Sequence, residues 1–232
     1  MDQTILCLAN SIKNRNHCVA GRSILMDSNR IRIGKWVRPV GRGAEGALLD
    51  HEARYDNHNN LHPGEVASFS SKRNIPLLFQ PENRLIEPGS HWKKYNLPEI
   101  EPLLRNSLEK PESLWDHIPG ARQDRLPESS VGNGLKQSLY FIQAQSLEIE
   151  HTASFNGYPQ IRAHFHYNGK KYNLVITDPD VKQQYTSIEK GIHTIKSSTN
   201  YGLCISLGMP FYGYHYKLVA SIIPLSNHTH NN

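Results

Sequence analysis

Ile5-Leu6-Cys7-Leu8-Ala9-Asn10-Ser11-Ile12-Lys13, His17-Cys18-Val19-Ala20-Gly21-Arg22 and Lys35-Trp36-Val37-Arg38-Pro39-Val40 are three short apolar runs, each bounded by polar or basic residues. Runs of this length between Asn, Gly and Asp-Ser-Asn turn signals read as consecutive short β-strands. Their ends gather Lys13, Arg15, Arg22, Lys35, Trp36 and Arg38. Two readings fit. One is the binding face of a small β-barrel; the other is a half-buried meander with a solvated basic side, since Lys and Arg are mostly exposed in any protein.

Outward from this stretch the chain continues as strand and turn. Glu65–Ser70 reads as a further strand, and the polar segment Gly41–Gly64 before it as a loop with a short helix around Leu48–Ala53. A helix is expected from Pro98 to about Trp115, with Pro98 in its first turn, Glu99 and Glu101 near its N-terminus and Leu103, Leu104 and Leu108 on one side. The stretch 116–134 carries Pro119, Gly120, Pro127, Gly132 and Gly134 among charged residues, which marks it as a connecting segment. A β pattern then restarts over Gln137–Glu150, Gln160–Tyr167, Lys171–Thr177, Tyr201–Leu207 and His215–Ile223. Asn168-Gly169 is a strong hairpin signal, because a two-residue turn needs positive φ angles. Alternation on the strand before it places Arg162, His164 and His166 on one face and Ile161, Ala163 and Phe165 on the other. Asp178-Pro179 is a helix-start signal for a turn through Val181–Ile188, and Gly208–Tyr214 reads as a loop.

This gives about five strands in each half and a mainly β fold: two small OB-like barrels in tandem with short helices. The expected organisation is residues 1–115 as the first barrel with a helix at its end, 116–134 as the connection, 135–226 as the second barrel and 227–232 as a disordered tail.

Composition bounds the partners. The 232 residues hold 26 Lys plus Arg against 21 Asp plus Glu, a formal net charge of +5, so polyanions are the natural partners of a charged face. Thirteen histidines would add charge below about pH 6.5. The chain has no apolar run of membrane-spanning length and no basic, apolar leader at Met1-Asp2-Gln3-Thr4-Ile5, so a cytoplasmic protein without membrane contact is expected. Cys7, Cys18 and Cys204 form no Cys-x-x-Cys pair and read as reduced thiols. Cys18, Cys204, His164, His166 and His215 lack zinc-finger spacing, so no metal and no cofactor is expected.

The motifs Ile5–Lys13, Cys18-Val19-Ala20-Gly21, Trp36–Val40, Gln80-Pro81-Glu82-Asn83, Ile176-Thr177-Asp178-Pro179, Cys204–Phe211 and His215–Ala220 resemble, in order and over nearly the whole chain, a bacterial family described as a dual OB-containing domain. That resemblance implies two OB-like barrels and nucleic-acid or nucleotide binding in mobile-element or anti-phage settings, with a protein partner from the same operon. It implies no established reaction and assigns no catalytic residue.

The candidate ligand-binding set is Lys13, Arg22, Trp36, Arg38, Gln80, Asn83, Arg162, Tyr172, Tyr216 and Lys217. Trp36 and Arg38, two apart, share a strand face, where an indole stacks a base and a guanidinium pairs with phosphate; alternatively Trp36 packs inside and Arg38 serves a carboxylate such as Glu82. Gln80 and Asn83 either read a base edge or tie their own turn to the backbone. Arg162, Tyr172, Tyr216 and Lys217 form basic and aromatic patches suited to single-stranded nucleic acid or a nucleotide. The competing class is an enzyme acting on a nucleotide or modified nucleic acid in a cleft between the barrels, with Asp178, Lys217, Asn10, Lys13 and Cys18 as its acid, base or nucleophile. Asp178 equally suits a helix cap, and a barrel that holds a protein partner is a third class.

Overall fold

The computed structural model describes residues 2–13, 16–27, 30–57, 59–132, 134–195 and 199–226. Arg15 and the tail 227–232 lie outside the described residues, as does the side chain of Lys13. In the first half, β1 (Asp2–Lys13), β2 (Asn16–Asp27), β3 (Arg30–Val40), β4 (Val66–Asn74) and β5 (Asn83–Ile86) form a ring in the order β1-β2-β3-β5-β4-β1. Every pairing is antiparallel except β3 with β5, which is parallel. This is a closed five-stranded barrel of the OB type. β6 (Lys93–Tyr95) adds to β4 outside the ring, and α1 (Glu101–Asn106) follows.

The second half repeats the plan. β8 (Leu139–Gln143) and β9 (Gln145–Ala153) are separated by Ala144 alone; β10 (Pro159–Tyr167), β11 (Lys170–Ile176), β13 (Asn200–Phe211) and β14 (Tyr214–Leu225) complete the sheet, with α2 (Pro179–Thr186) between β11 and β13. The order β9-β10-β11-β14-β13-β8 returns to its start through the chain at Ala144, and β11–β14 is the parallel pair. β7 (Arg125–Pro127) pairs with β14 and β12 (Gly191–Thr194) with β9.

The deciding stretch of β1 is apolar without alternation because both of its faces are covered. Ile5 and Cys7 point into the first barrel with Val19, Val37, Phe69 and Trp92. Leu6 and Leu8 point outward into a second cluster with Trp36, Leu103 and Leu104, joined by Leu139, Phe141, Cys204 and Ile223 of the other barrel. A strand buried on both faces reads as a continuous apolar run. Gly21 of β2 belongs to the same arrangement, since a Cβ there would lie 2.2 Å from the Leu6 carbonyl oxygen. Ser221 of β14 donates its hydroxyl proton to the Leu8 carbonyl, tying the barrels along this seam.

Several sequence expectations need correction. Gly41–Gly64 has its short helix where expected, as the 3-10 turn Asp50–Glu52 with a second at Ala44–Gly46, but it also buries Leu48, Ala53, Tyr55 and Leu61 against the first core, more than its polar composition suggests. The helix expected over Pro98–Trp115 spans Glu101–Asn106 only. Ser107 donates to the Leu103 carbonyl at its end, and Trp115 takes φ +60° with its indole N–H donating to the Gln137 carbonyl. Gly208–Tyr214 is mostly strand, with a turn confined to Tyr212-Gly213. The stretch 116–134 contributes Ile118, Leu126 and Val131 to the second core and includes the strand β7. The Asn168-Gly169 turn, with φ of 47° and 73°, follows the sequence expectation. So does the Asp178 cap, whose carboxylate accepts from the Asp180 and Val181 amides. No described helix is long and apolar enough to cross a membrane.

Candidate nucleic-acid interface

Two adjacent hairpin loops of the second barrel carry exposed aromatic side chains. Between β9 and β10, the Ser154 amide donates to the Tyr158 carbonyl and the Gly157 amide to the Ser154 carbonyl, closing a turn that Gly157 completes at φ +80°. It leaves Phe155 fully exposed and Tyr158 largely so. Between β13 and β14 a two-residue turn places Tyr212 at φ +48° and Gly213 at +75°, the geometry of a tight hairpin connection. Tyr212 is 85% exposed, and Phe211 meets it edge to face at 4.4 Å. Tyr214 and Tyr216 continue the aromatic row along β14. These are the loops between strands 1 and 2 and between strands 4 and 5 of the barrel, positions that bind oligonucleotides in OB-folds.

The groove between the loops holds about 680 Å³ and is lined by Phe155, Gln160, Arg162, Phe211, Tyr212 and Tyr216. Arg162 is fixed by neutral partners: Nε donates to Asn173 Oδ1 at 2.6 Å, Nη1 to Gln160 Oε1 at 2.8 Å and Nη2 to the Asn173 carbonyl at 2.8 Å. Burial lowers its pKa, against the opposing influence of Glu150 and Asp124, yet a guanidinium stays charged. Among the described residues no carboxylate lies within 4.0 Å of it. The Arg125 guanidinium lies 4.9 Å from the Tyr214 ring centre and 5.7 Å from that of Tyr216, with Nη1 3.6 Å from Asp124. The groove therefore combines flat apolar surface with the cation of Arg162, the carboxylate of Asp124 and the buried Lys217 in its lining, and with Arg125 over the Tyr214 and Tyr216 rings beside it.

Of the ten residues chosen from sequence, Arg162, Tyr216 and Lys217 line this groove. Trp36 is 7% exposed: it sits at the seam, its indole N–H donating to Glu109 Oε2 at 2.9 Å. Arg22 lies over the Trp36 ring, with Nε donating to the Gly34 carbonyl and Nη1 3.5 Å from Glu109. Arg38 reaches across the seam, its Nη2 donating to the hydroxyls of Ser138 at 2.9 Å and Ser206 at 3.3 Å. Gln80 donates weakly to the Leu207 carbonyl and accepts from Asn83. Trp36, Arg38 and Gln80 join the barrels, because β3 and the loop before β5 face the other barrel, and Arg22 and Asn83 brace Trp36 and Gln80 from within the first half.

Tyr172 and Lys217 are equally internal. Lys217 is 1% exposed; its ammonium donates to Asp116 and to the Arg122 carbonyl, and Tyr172 donates to the same carboxylate. Burial lowers the Lys217 pKa against the opposing pull of Asp116. For Asp116, burial alone would raise the pKa, but hydrogen bonds from Lys217 and Tyr172 outweigh it and leave it lowered. The alternative catalytic set is dispersed as well. Asn10 donates to the Leu61 carbonyl and meets His17 Nδ1, and Asp178 accepts from the Ile222 amide besides capping α2. Burial raises the Asp178 pKa. Cys18 lines the opening between the barrels. Among the described residues no three His, Cys, Asp or Glu side chains assemble as a metal site.

Sequence reasoning missed Phe155, Tyr158, Phe211, Tyr212 and Arg125. The available signal was aromatic residues inside turns: Phe155-Asn156-Gly157-Tyr158 and Phe211-Tyr212-Gly213-Tyr214 set apolar rings beside glycines in segments with no core to fill.

A comparison with curated proteins gave no match. Among solved structures, a murine DNA-binding protein bound with double-stranded DNA is similar at 7% identity, covering 98% of this chain and 98% of that chain, with a TM-score of 0.34. The Ifi202 HINa domain in complex with a 20-base-pair double-stranded DNA is similar at 10% identity, covering 98% and 97%, with a TM-score of 0.32. A family model described as the dual OB-containing domain matches residues 3–222, in keeping with the two barrels, and the chain belongs to that family.

Proposed function

We propose that the protein binds single-stranded nucleic acid on the two aromatic loops of its second barrel. The observation that carries this reading is the exposure of Phe155, Tyr158, Phe211 and Tyr212 on neighbouring hairpins beside Arg162. A soluble domain seldom exposes a contiguous apolar patch without a partner for it. Aromatic rings accept unstacked bases of any sequence, at about 1–3 kcal/mol per base, whereas bases in a duplex keep their faces covered by one another. With Lys217 of the groove lining held by Asp116, the cations offered to a strand are Arg162 and the neighbouring Arg125, and stacking supplies more of the affinity than charge does.

Titration of the full chain with a fluorescently labelled oligothymidine, a hairpin duplex and free mononucleotides tests the reading. The single strand is expected to bind most tightly, and Tyr212→Ala and Phe155→Ala to weaken it without lowering thermal stability. Preference for the duplex, or oligothymidine affinity unchanged in both variants, would overturn it. Tight binding of a mononucleotide with no gain from added length would redirect the assignment to nucleotide binding.

A further inference from the structure

A second concavity lies between the barrels and adjoins the aromatic groove through Phe211 and Tyr216. It holds about 340 Å³ and is walled by Val40 and Ala47 of the first barrel and Leu207, Met209 and Leu218 of the second, with Arg38 also lining it. Arg38 is 8% exposed. Its Nη2 donates to two neutral hydroxyls, and its Nε is buried with no hydrogen-bond acceptor. Glu45 stands in the wall of the same pocket. Ser138 links Arg38 to a further carboxylate: its hydroxyl donates to Glu82 Oε2 at 2.9 Å and its amide donates to Oε1. A buried guanidinium with an idle N–H is costly unless an acceptor meets it, and a closed joint between two barrels had no steric need for a cation at that place.

We propose that this interbarrel pocket binds a small organic anion, a compact apolar or flat body with a single carboxylate, phosphate or sulfonate, whose acid group meets the Arg38 guanidinium. Apolar walls around a few convergent polar groups are the usual make-up of small-molecule sites. The pocket volume suits a ligand of mononucleotide size or smaller. The pocket shares Phe211, Tyr216 and Leu218 with the aromatic groove, whereas Arg38 and Ala47 line this pocket alone and Tyr212 the groove alone, so variants at those three positions tell the two sites apart.

The test uses 8-anilinonaphthalene-1-sulfonate and its uncharged analogue N-phenyl-1-naphthylamine as fluorescent probes on the full, folded chain. The sulfonate is expected to bind at one site and about tenfold or more tighter than the uncharged analogue. Arg38→Met should remove that preference while leaving the analogue's binding in place. Ala47→Trp, which fills the pocket without touching Arg38, should abolish binding of both, and it keeps the proposal open to test if Arg38→Met does not fold. Tyr212→Ala should leave sulfonate binding unchanged while weakening oligonucleotide binding. Equal affinity for the two probes on the unaltered chain, or sulfonate binding undiminished in a folded Ala47→Trp variant, would overturn the assignment.

Discussion

The loop before β5 in the first barrel and the turn between β13 and β14 in the second occupy the same place in the same strand order, yet they meet opposite fates. In the first barrel the loop turns toward its neighbour: the Phe79 ring lies 4.5 Å from that of His215, Gln80 reaches the Leu207 carbonyl, and Glu82 accepts from both the amide and the hydroxyl of Ser138. In the second barrel the equivalent turn projects into solvent, with Phe211 and Tyr212 exposed. One barrel thus spends its strand 4 to strand 5 loop on the joint, and the other keeps its loop available to a ligand. Apolar and aromatic residues in matching loops serve cohesion in one case and recognition in the other, and what separates them is whether another barrel stands in front.

The sharpest way to break this comparison is at the seam. Trp36→Ala removes a buried indole and its hydrogen bond to Glu109, and is expected to cost about 3–5 kcal/mol, as for other large core truncations. In a chain of this size that corresponds to a fall in melting temperature of roughly 6–20 °C. Tyr212→Ala in the free turn should change stability by no more than about 0.5 kcal/mol. Urea denaturation of both variants checks the contrast, and a Trp36→Ala protein as stable as the parent would mean that the seam does not hold the barrels together.

The reverse contrast applies to binding. Tyr212→Ala should weaken a labelled oligothymidine by about 1–3 kcal/mol, the contribution of one stacked base, or about 5- to 150-fold. Arg22→Ala, at the seam, should leave that affinity unchanged. Fluorescence anisotropy titrations read both. A loss with Arg22→Ala equal to that with Tyr212→Ala would move the interface to the first barrel.

Salt dependence sharpens the same point. With two cations at the groove, the logarithm of the affinity should fall by about 1.4 per tenfold rise in salt, from about 0.7 per phosphate contact on a single strand. Arg162→Gln should lower the slope by about half. A much steeper slope would show that basic residues outside the groove hold the strand.

The smallest expected effect concerns pH and again distinguishes the barrels. His17 is buried in the first barrel, and burial lowers its pKa despite the opposing pull of Asp50. The unfolded chain then binds more protons than the folded chain at pH values just below the ordinary histidine value of about 6.5. Stability is therefore fully present above that pH and falls as pH drops toward the folded pKa of His17. His17→Gln should flatten this part of the stability profile relative to the parent, as read by denaturation at several pH values between neutral and mildly acidic. An unchanged profile would mean that His17 keeps an ordinary pKa in the folded chain.

Much of the architecture was legible because local chemistry dictates it. Asn168-Gly169 can close a hairpin wherever it occurs, and Asp178 before Pro179 offers the first free amides of a helix an acceptor before any tertiary contact forms. The alternation of Ile161, Ala163 and Phe165 with Arg162, His164 and His166 fixes which face of β10 is inside. The strand count then points to two small barrels of one type. The site was less legible. Trp36 and Arg38 do share a strand face, as their spacing requires, but spacing cannot say whether that face meets water or another barrel.

What the sequence determined by itself is therefore the set of strands, turns and caps, since each depends on residues within a few positions of one another. Only the tertiary structure decided that Leu6, Leu8, Trp36 and Arg38 serve the joint, that Lys217 meets Asp116 about a hundred residues away, and that Phe155 and Tyr212 are left exposed on neighbouring loops. The physical reason is that burial and pairing are properties of surfaces brought together by the fold. The energy that assigns an indole to a seam or a tyrosine to a ligand comes from what stands opposite it, and the order of residues along the chain does not contain that information locally.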